Sequence, residues 1–192
     1  KFNGEETSLE IGDNNKIREY VTINPGTKGG GGLTKIGNNC LFMVSSHIAH
    51  DCMVGDNVIL ANNVPLGGHA EIEDNVIIGA LAGVHQFCRV GRGAMIGGLS
   101  AVVADVIPMG MVIGERANLD GLNLIGLKRA GVNKDHINGL RAAFKMIFQS
   151  NNNVKDTIEP ALDAYKGNPL VEEMISFIKS ETSRSLTISS KD

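Results

Sequence analysis

Two histidines, an acid and a thiol lie within six residues of one another in the stretch HIAHDC, from His47 to Cys52. An imidazole that titrates near neutral pH can take up a proton from a substrate. Histidine, aspartate and cysteine side chains are also common zinc ligands. The stretch is therefore a candidate for proton transfer or for metal binding, and the elements that position it must decide between the two.

Composition excludes several classes of protein. The 192 residues include 18 basic and 21 acidic side chains, a formal charge of −3, which predicts no nucleic-acid partner. No apolar run approaches the roughly 20 residues that cross a bilayer, and no signal-peptide pattern opens the chain, so we expect no membrane span and a cytoplasmic location. The three cysteines Cys40, Cys52 and Cys88 contain no CxxC pair, which favours core positions over disulfides or a zinc ribbon.

An apolar residue recurs at every sixth position from residue 36 to residue 102 without interruption. A small or β-branched residue follows each of them four positions later, and all three cysteines fall in this second row. A six-residue period fits neither an α-helix nor an alternating strand, but it is typical of a parallel β-helix of hexapeptide repeats. The lead residues are Ile36, Phe42, Ile48, Val54, Leu60, Leu66, Ile72, Ile78, Val84, Val90, Ile96 and Val102.

Three hexads make one triangular coil, so residues eighteen apart should stack on the same face, about 4.8 Å from each other. An earlier phase of the repeat at Ile11, Ile17 and Ile23 is offset from the later one by the glycine-rich stretch GTKGGGGLTK. That stretch interrupts the pattern, and we expect an external loop near residues 26–34.

The repeat also places the histidines. His50, His69 and His85 lie in hexads whose first residues are eighteen apart, so they should share one face in three consecutive coils. His47 ends the preceding hexad, at a corner beside them. Four histidines that converge on one stacked face predict a functional site, whereas His136 lies in the tail and is expected to be incidental.

The hexads stop after about Pro108, and apolar residues then follow a helical period. Asn133 is a predicted N-cap for a first long helix, and Asn168 with Pro169 opens a later one. Between them a second apolar stripe runs from Val154 to Tyr165. We therefore predict two domains, a β-helix over residues 1–114 and a small helical domain over residues 115–192.

The chain closely resembles the UDP-N-acetylglucosamine O-acyltransferases, which begin lipid A biosynthesis in Gram-negative bacteria. The motifs that carry the resemblance are HIAHDCMVGDNVILANNVPLGGHAEIEDNVIIGALAGVHQFCRVG and GLNLIGLKRAG. Hexads alone indicate a β-helix shared by many acyl- and acetyltransferases, but the spacing of HxxH, GH and VHQF is more specific. The resemblance covers nearly the whole chain. It implies a mainly β plus α fold, a left-handed parallel β-helix of hexapeptide repeats followed by a small C-terminal helical domain.

The resemblance implies a homotrimer that transfers an (R)-3-hydroxyacyl chain from acyl carrier protein to the 3-hydroxyl of UDP-N-acetylglucosamine. It also implies that the site lies in a cleft between subunits and uses no cofactor or metal. His50 matches the catalytic base, which would remove the hydroxyl proton. Gly68 matches the position whose backbone N–H stabilises the oxyanion. Asp51 would orient or electrostatically support the imidazole, provided that a corner turns the two neighbouring side chains toward each other.

Further positions match substrate-binding residues of the family. The positions that line the sugar-nucleotide and catalytic pocket are matched by Lys1, His47, His69, His85 and Gln86. Asn123 and Arg129 match residues at the nucleotide end, where an arginine suits a diphosphate because it presents several charged donors. Gly98 matches the acyl-chain ruler, and because glycine has no side chain we expect a long rather than a short acyl donor.

Some features leave alternatives open. The chain begins inside a coil without an initiator methionine, which predicts that the first coils of the family are missing from it. Ile125 and Ala130 stand where better-known members carry polar or charged groups, so a 3-amino sugar or another acceptor remains possible. A zinc hydratase on a β-helix is a third alternative, but it needs three nitrogens that converge on the metal at about 2.1 Å. HIAHDC lacks the HxxxxH pairing of such enzymes.

Overall fold

Three parallel sheets form the walls of a triangular solenoid in the computed structural model, which describes residues 4–150 and 152–189. The first sheet contains β1 (Ser8–Ile11), β4 (Leu33–Ile36), β7 (Met53–Val54), β10 (Glu71–Ile72) and β13 (Arg89–Val90). The second contains β2 (Lys16–Ile17), β5 (Leu41–Phe42), β8 (Ile59–Leu60), β11 (Ile77–Ile78), β14 (Met95–Ile96), β16 (Gly110–Ile113) and β17 (Asn118–Leu122). The third contains β3 (Thr22–Ile23), β6 (His47–Ile48), β9 (Pro65–Leu66), β12 (Gly83–Val84) and β15 (Ala101–Val102).

The core of the solenoid is built from the two repeating rows of the sequence. Every lead residue from Ile36 to Val102 is at most 4% exposed, and the small residues four positions later are buried as well. Strands of successive coils pair eighteen residues apart, as Lys35 pairs with Met53 and Met53 with Glu71. The predicted fold class, a left-handed parallel β-helix followed by helices, is confirmed.

Each coil turns at three corners of four residues. The first corner leads from the third sheet to the first and contains residues 49–52, 67–70 and 85–88. The second corner leads from the first sheet to the second and contains residues 37–40, 55–58, 73–76 and 91–94. The third corner leads from the second sheet to the third and contains residues 43–46, 61–64, 79–82 and 97–100. The third residue of these corners has a positive φ, for example 59° at Asp51 and 61° at His69. This conformation ends the strand alternation, so consecutive corner side chains need not point to opposite faces.

An insertion replaces the first corner of the first coil. Ser8 pairs with Leu33, 25 residues away, whereas later coils pair at 18, so seven residues are additional. They belong to residues 24–32, which we call the insertion loop and which include a 3₁₀ turn at Lys28–Gly30. Equivalent corners of successive coils stack on one another. Because this loop takes the place of a first corner, it lies against the first corner of the next coil, at residues 49–52.

The C-terminal part begins with a hairpin. β16 pairs in parallel with β14, and β17 returns antiparallel to β16, a strand that the sequence did not predict. The helices are α1 (Leu124–Arg129), α2 (Lys134–Phe148), α3 (Val154–Ala164) and α4 (Pro169–Lys179). The predicted N-caps are present, since Asn133 accepts from Asp135 N and Asn168 from Leu170 N. The division at residue 114 stays a prediction, because the hairpin spans it. No helix in the described ranges is long and apolar enough to cross a membrane.

A buried ion pair fastens the C-terminal part to the β-helix. Asp105 is 0% exposed and accepts two hydrogen bonds of 2.8 Å from the backbone N and the Nε of Arg89. Thr182 Oγ1, beyond α4, donates to the same carboxylate at 2.8 Å. The Arg89 guanidinium also lies 4.3 Å from the centre of the Phe177 ring in α4. Asp105 therefore organises the seam between the solenoid and the tail.

Replacing Asp105 by alanine is expected to lower the free energy of unfolding by about 3–5 kcal/mol, because Arg89 is left charged and largely buried without its partner. Urea denaturation followed by circular dichroism would measure the loss. Glu159→Gln is the matched control, since it removes the ion pair with Lys179 at a carboxylate that is 68% exposed. That change should cost less than about 1 kcal/mol. Equal losses in the two variants would contradict the prediction.

Candidate active site

A histidine and an aspartate that are neighbours in sequence face each other at the first corner. His50 Nδ1 lies 2.8 Å from Asp51 Oδ2, and the imidazole is 45% exposed while the carboxylate is fully buried. The positive φ of Asp51 turns its side chain back toward His50, which a continuous strand would not allow. The corner thus supplies the geometry that the predicted support of His50 by Asp51 requires.

The Asp51 carboxylate is held in its ionised form. Burial acts to raise its pKa, but hydrogen bonds from the Thr27 side chain and backbone and from His50 outweigh burial, so the pKa is lowered. An ionised carboxylate only accepts hydrogen bonds, so the proton of the contact belongs to His50 Nδ1. In the neutral imidazole the Nε2 lone pair is then free to accept a proton.

Gly68 stacks one coil beyond His50, directly under its ring. A Cβ added to Gly68 would lie 2.7 Å from His50 Cε1 and 2.9 Å from Nε2, so only glycine leaves room for the imidazole. The neighbouring second corner shows what a side chain does at this position, because Asp56 and Asp74 accept from the backbone N–H of the preceding coil. Gly68 is buried, and across residues 4–150 and 152–189 its N–H donates to no protein acceptor.

His69 forms the other wall of this corner. Its ring meets the His50 ring edge-on, with centroids 5.2 Å apart, and its Nε2 lies 3.9 Å from Asp51 Oδ2. On its other side it stacks on Phe87, with centroids 4.4 Å apart and planes 9° from parallel. His50, Asp51, Gly68 and His69 therefore form one cluster that spans two coils.

The same cluster offers three possible metal-ligand atoms. One atom each of His50, Asp51 and His69 lies within 4.8 Å of the others. Both Asp51 oxygens, however, already accept hydrogen bonds, Oδ1 from Thr27 N and Oδ2 from Thr27 Oγ1 and His50 Nδ1. A metal at Oδ2 would have to displace these donors, so the observed arrangement fits proton transfer better than metal coordination.

Two further predicted residues lie at the same corner, and a third lies on the sheet beside it. His85 and Gln86 follow one coil beyond His69. Arg184, from the segment after α4, donates through Nη2 to His85 Nδ1 and to the Gln86 carbonyl, both at 2.8 Å. His85 Nδ1 also lies 3.3 Å from the Gln86 carbonyl, which can only accept. A guanidinium can only donate, and its shorter contact favours the tautomer in which Nδ1 accepts and Nε2 carries the proton. His47 lies in β6 of the third sheet and places Nδ1 2.7 Å from Thr22 Oγ1, so the prediction that it occupies a corner is wrong.

The remaining predicted residues are not at this corner. Asn123 caps α1 by accepting from Gly126 N, and its Nδ2 donates to the Gly93 carbonyl at the second corner. Arg129 is exposed at the end of the same short helix. Gly98 lies at the third corner, where a Cβ would approach the Ala80 carbonyl to 3.0 Å. Lys1 lies outside the described residues. One chain therefore distributes the predicted site over three corners.

The cysteines take no part in the cluster. Cys52 and Cys88 are fully buried in the second row of the repeat, and burial raises the pKa of both thiols to about 11. They are protonated at neutral pH and are not nucleophiles. The prediction that the cysteines are core residues is confirmed, since all three are buried and unpaired.

Sequence reasoning missed Thr27, Thr34, Phe87 and Arg184. Phase counting could have found Thr34 and Phe87, because both follow the repeat. For Thr27 it predicts only that the insertion falls in the stack of first corners, not which of its residues reaches Asp51. Arg184 carries no such signal, since the tail that brings it to His85 has no repeat. Its position depends on the packing of α4 and on the seam at Asp105.

Comparison with known proteins identifies the family. Residues 105–187 match the profile described as Udp N-acetylglucosamine O-acyltransferase, Domain 2, and residues 33–68 match that of the bacterial transferase hexapeptide (six repeats). The acyl-[acyl-carrier-protein]–UDP-N-acetylglucosamine O-acyltransferase of Paracoccus denitrificans (strain Pd 1222) is 54% identical over 185 residues, which are 96% of this chain and 70% of that protein.

Solved structures agree with this. The UDP-N-acetylglucosamine acyltransferase from Campylobacter jejuni is 40% identical, with a TM-score of 0.90 over 97% of this chain and 73% of that chain. The UDP-N-acetylglucosamine O-acyltransferase from Moraxella catarrhalis RH4 is 43% identical, with a TM-score of 0.92 over 97% of this chain and 72% of that chain. The resemblance seen in the sequence is thereby confirmed: the chain belongs to the UDP-N-acetylglucosamine O-acyltransferase family and is an acyltransferase.

Proposed function

We propose that this protein transfers an (R)-3-hydroxyacyl chain from acyl carrier protein to the 3-hydroxyl of UDP-N-acetylglucosamine, with His50 as general base, in lipid A biosynthesis. The observation that carries the mechanism is the contact of His50 Nδ1 with the buried Asp51 carboxylate at 2.8 Å. It leaves the Nε2 lone pair unused, on the part of the ring that lies next to Gly68.

Each proton and bond in the reaction is accounted for. His50 Nε2 accepts the proton of the sugar 3-hydroxyl as that oxygen attacks the thioester carbonyl carbon. The carbonyl oxygen of the tetrahedral intermediate becomes negatively charged, and the free Gly68 N–H donates to it. When the carbon–sulfur bond breaks, the imidazolium returns its proton to the departing thiolate of the carrier protein. Asp51 stays ionised throughout and stabilises the imidazolium.

Replacing Gly68 by alanine is expected to lower kcat about 10- to 100-fold, because the new methyl group pushes the His50 imidazole away from the reacting hydroxyl. Steady-state acyl transfer with both substrates varied would measure the loss. Gly121→Ala is the matched control, since a Cβ there meets nothing within 4 Å and the residue lies in β17. A Gly68→Ala enzyme with wild-type kcat would show that Gly68 has no role in the active site.

A homotrimer is part of the proposal. The predicted sugar, nucleotide and acyl residues lie at three different corners of one chain, so neighbouring subunits would have to bring them together. Leu81 and Leu99 at the third corner are 58% and 69% exposed and adopt a positive φ, which is costly for leucine. Exposed apolar side chains kept at such positions are expected to be covered by a neighbouring subunit. Native mass spectrometry would test the stoichiometry, and a monomer at micromolar concentration would contradict it.

We also propose that the acyl groove accepts a long chain, because Gly98 leaves no side chain at its corner. Acyl carrier protein loaded with 3-hydroxyacyl chains of increasing length, supplied in competition, should give the highest kcat/KM for the longer donors. Each buried methylene contributes about 0.8 kcal/mol, so adjacent even-numbered donors should differ clearly. A preference for the shortest donor would show that another residue closes the groove.

The metal-ligand cluster favours one alternative function, a zinc-dependent hydratase at the same corner. One experiment separates the metal-free acyltransferase from the zinc-dependent hydratase. Acyl transfer to UDP-N-acetylglucosamine, and to its 3-amino analogue, is measured with metal-free protein and again after zinc is added. Transfer without metal supports the proposal, and the faster acceptor shows whether an ester or an amide is formed. Activity that appears only with zinc would overturn the mechanism.

A further inference from the structure

The insertion loop reaches the carboxylate that supports the proposed base. Thr27 N donates to Asp51 Oδ1 at 2.8 Å, and Thr27 Oγ1 donates to Asp51 Oδ2 at 2.6 Å. The Thr27 carbonyl in turn accepts from the backbone N–H of Gly30 and of Gly32, at 2.9 and 2.8 Å. The loop is thus folded around Thr27, and the position of the hydroxyl is set by the backbone bonds of the loop itself.

The loop also packs directly on the cluster. A Cβ added to Gly30 would overlap the Asp51 carboxylate and lie 2.5 Å from His69 Cε1, so the loop backbone leaves no space between itself and these two side chains. The adjacent Gly29 differs, because a Cβ there meets nothing within 4 Å. Close approach is therefore needed at one glycine of the run and not at its neighbour.

A third element holds the backbone of the same aspartate. Thr34, in β4, is 0% exposed and accepts from Asp51 N through Oγ1 at 2.7 Å. Thr34 fixes the main chain of Asp51, while Thr27 fixes both carboxylate oxygens. Together they leave the carboxylate one orientation, the one in which Oδ2 also accepts from His50 Nδ1.

We propose that the insertion loop is a positioning element for the base: Thr27 and Gly30 hold the Asp51 carboxylate so that it keeps the His50 imidazole in place. This inference rests on the proposed function, in which His50 is the base. Without the Thr27 hydroxyl the carboxylate can rotate about its Cβ–Cγ bond. His50, nearly half exposed, then loses the fixed acceptor that orients its ring and selects its tautomer.

The first test compares two substitutions of Thr27. Thr27→Val keeps the shape and the backbone N–H but removes the hydroxyl, and it should lower kcat about ten-fold with KM for the UDP-sugar unchanged. Thr27→Ser keeps the hydroxyl and should restore most of the rate. Equal kcat in the valine and wild-type enzymes would overturn the inference.

The second test compares two adjacent glycines of the loop. Gly30→Ala should lower kcat by at least as much as Thr27→Val, because the methyl group displaces the Asp51 carboxylate and the His69 ring. Gly29→Ala is the matched control and should retain wild-type kcat. If both alanine variants were equally slow, the loop would act through its general flexibility and the assigned contact would be wrong.

A third measurement does not depend on turnover. The His50 Nδ1–H proton should give a downfield NMR resonance in wild type, assigned by its loss in His50→Ala, and Thr27→Val should shift or broaden it. An unchanged resonance in the valine variant would overturn the inference even if its kcat were reduced. Failure of the proposed function would look different from failure of this inference. The wild-type protein would then transfer no acyl group, or the His50→Ala variant would keep the wild-type rate.

Discussion

Replacing His50 by alanine is expected to lower kcat for acyl transfer about 10²- to 10⁴-fold, with KM for the UDP-sugar close to that of wild type. The sugar hydroxyl is a poor nucleophile at neutral pH, and the alanine enzyme has no group at the first corner to remove its proton. His69, the nearest imidazole, has its ring edge-on to His50 and stacked on Phe87, so it cannot take the same place without moving.

The measurement is a steady-state assay with 3-hydroxyacyl carrier protein and UDP-N-acetylglucosamine, together with binding of the UDP-sugar by calorimetry. His136→Ala is the matched control, since it removes a histidine of α2 that is remote from the cluster. Its kcat should equal that of wild type. A His50→Ala enzyme that kept its rate would show that the base lies elsewhere, and loss of UDP-sugar binding would show a role in binding instead.

Replacing Asp51 by asparagine is expected to lower kcat by a comparable factor, about 10²- to 10⁴-fold, with little change in shape. In the orientation that keeps the Thr27 N–H bond to Oδ1, the asparagine amide places its NH₂ group at the Oδ2 position. That group donates, so His50 Nδ1 must accept and the imidazole proton moves to Nε2. The nitrogen that should receive the hydroxyl proton is then already protonated.

Asp56→Asn is the matched control for this change. Asp56 is also a corner aspartate that accepts a backbone N–H, at 2.6 Å from Asn38 N, but it lies at the second corner, away from the histidines. The Asp56→Asn enzyme should be somewhat less stable than wild type and should keep the wild-type kcat. ¹⁵N chemical shifts of the His50 ring would read the tautomer directly, and an Asp51→Asn protein that still carries the proton on Nδ1 would show that Asp51 does not select it.

The contact between His50 and Asp51 also explains why one corner of a regular solenoid could become an active site. Every corner from residue 37 to residue 100 has a residue with positive φ, and in the second corner an aspartate of the next coil accepts from the N–H of the preceding one, as Asp74 does from Asp56. At the first corner Gln86 stands in the equivalent position, but the Gly68 N–H donates to no acceptor among the described residues, while the insertion loop supplies donors that keep Asp51 ionised. The site is a modified corner, and the substitutions described above test the contribution of each of its residues separately.

The sequence by itself determined the solenoid, its core and the column in which each histidine lies. Backbone pairing between coils repeats every eighteen residues and side chains alternate along each strand, so the position of a residue follows from counting. That is why the burial of the cysteines and the stacking of His50, His69 and His85 in three consecutive coils could be predicted, although they lie at a corner and not on the predicted face. The N-caps Asn133 and Asn168 were predictable for a similar reason, because capping depends on local backbone geometry.

Only the tertiary structure decided which groups meet at the site. The turn of Asp51 toward His50 depends on a corner conformation, and the contacts of Thr27 and Gly30 with Asp51 depend on how a loop without repeat folds back on its neighbour. Arg184 reaches His85 because the Arg89–Asp105 seam and α4 fix the path of the tail. The separation of Asn123 from the histidines has the same origin, because the hairpin and α1 lie outside the repeat. Such contacts join segments with no common period, so their geometry follows from packing and cannot be counted along the chain.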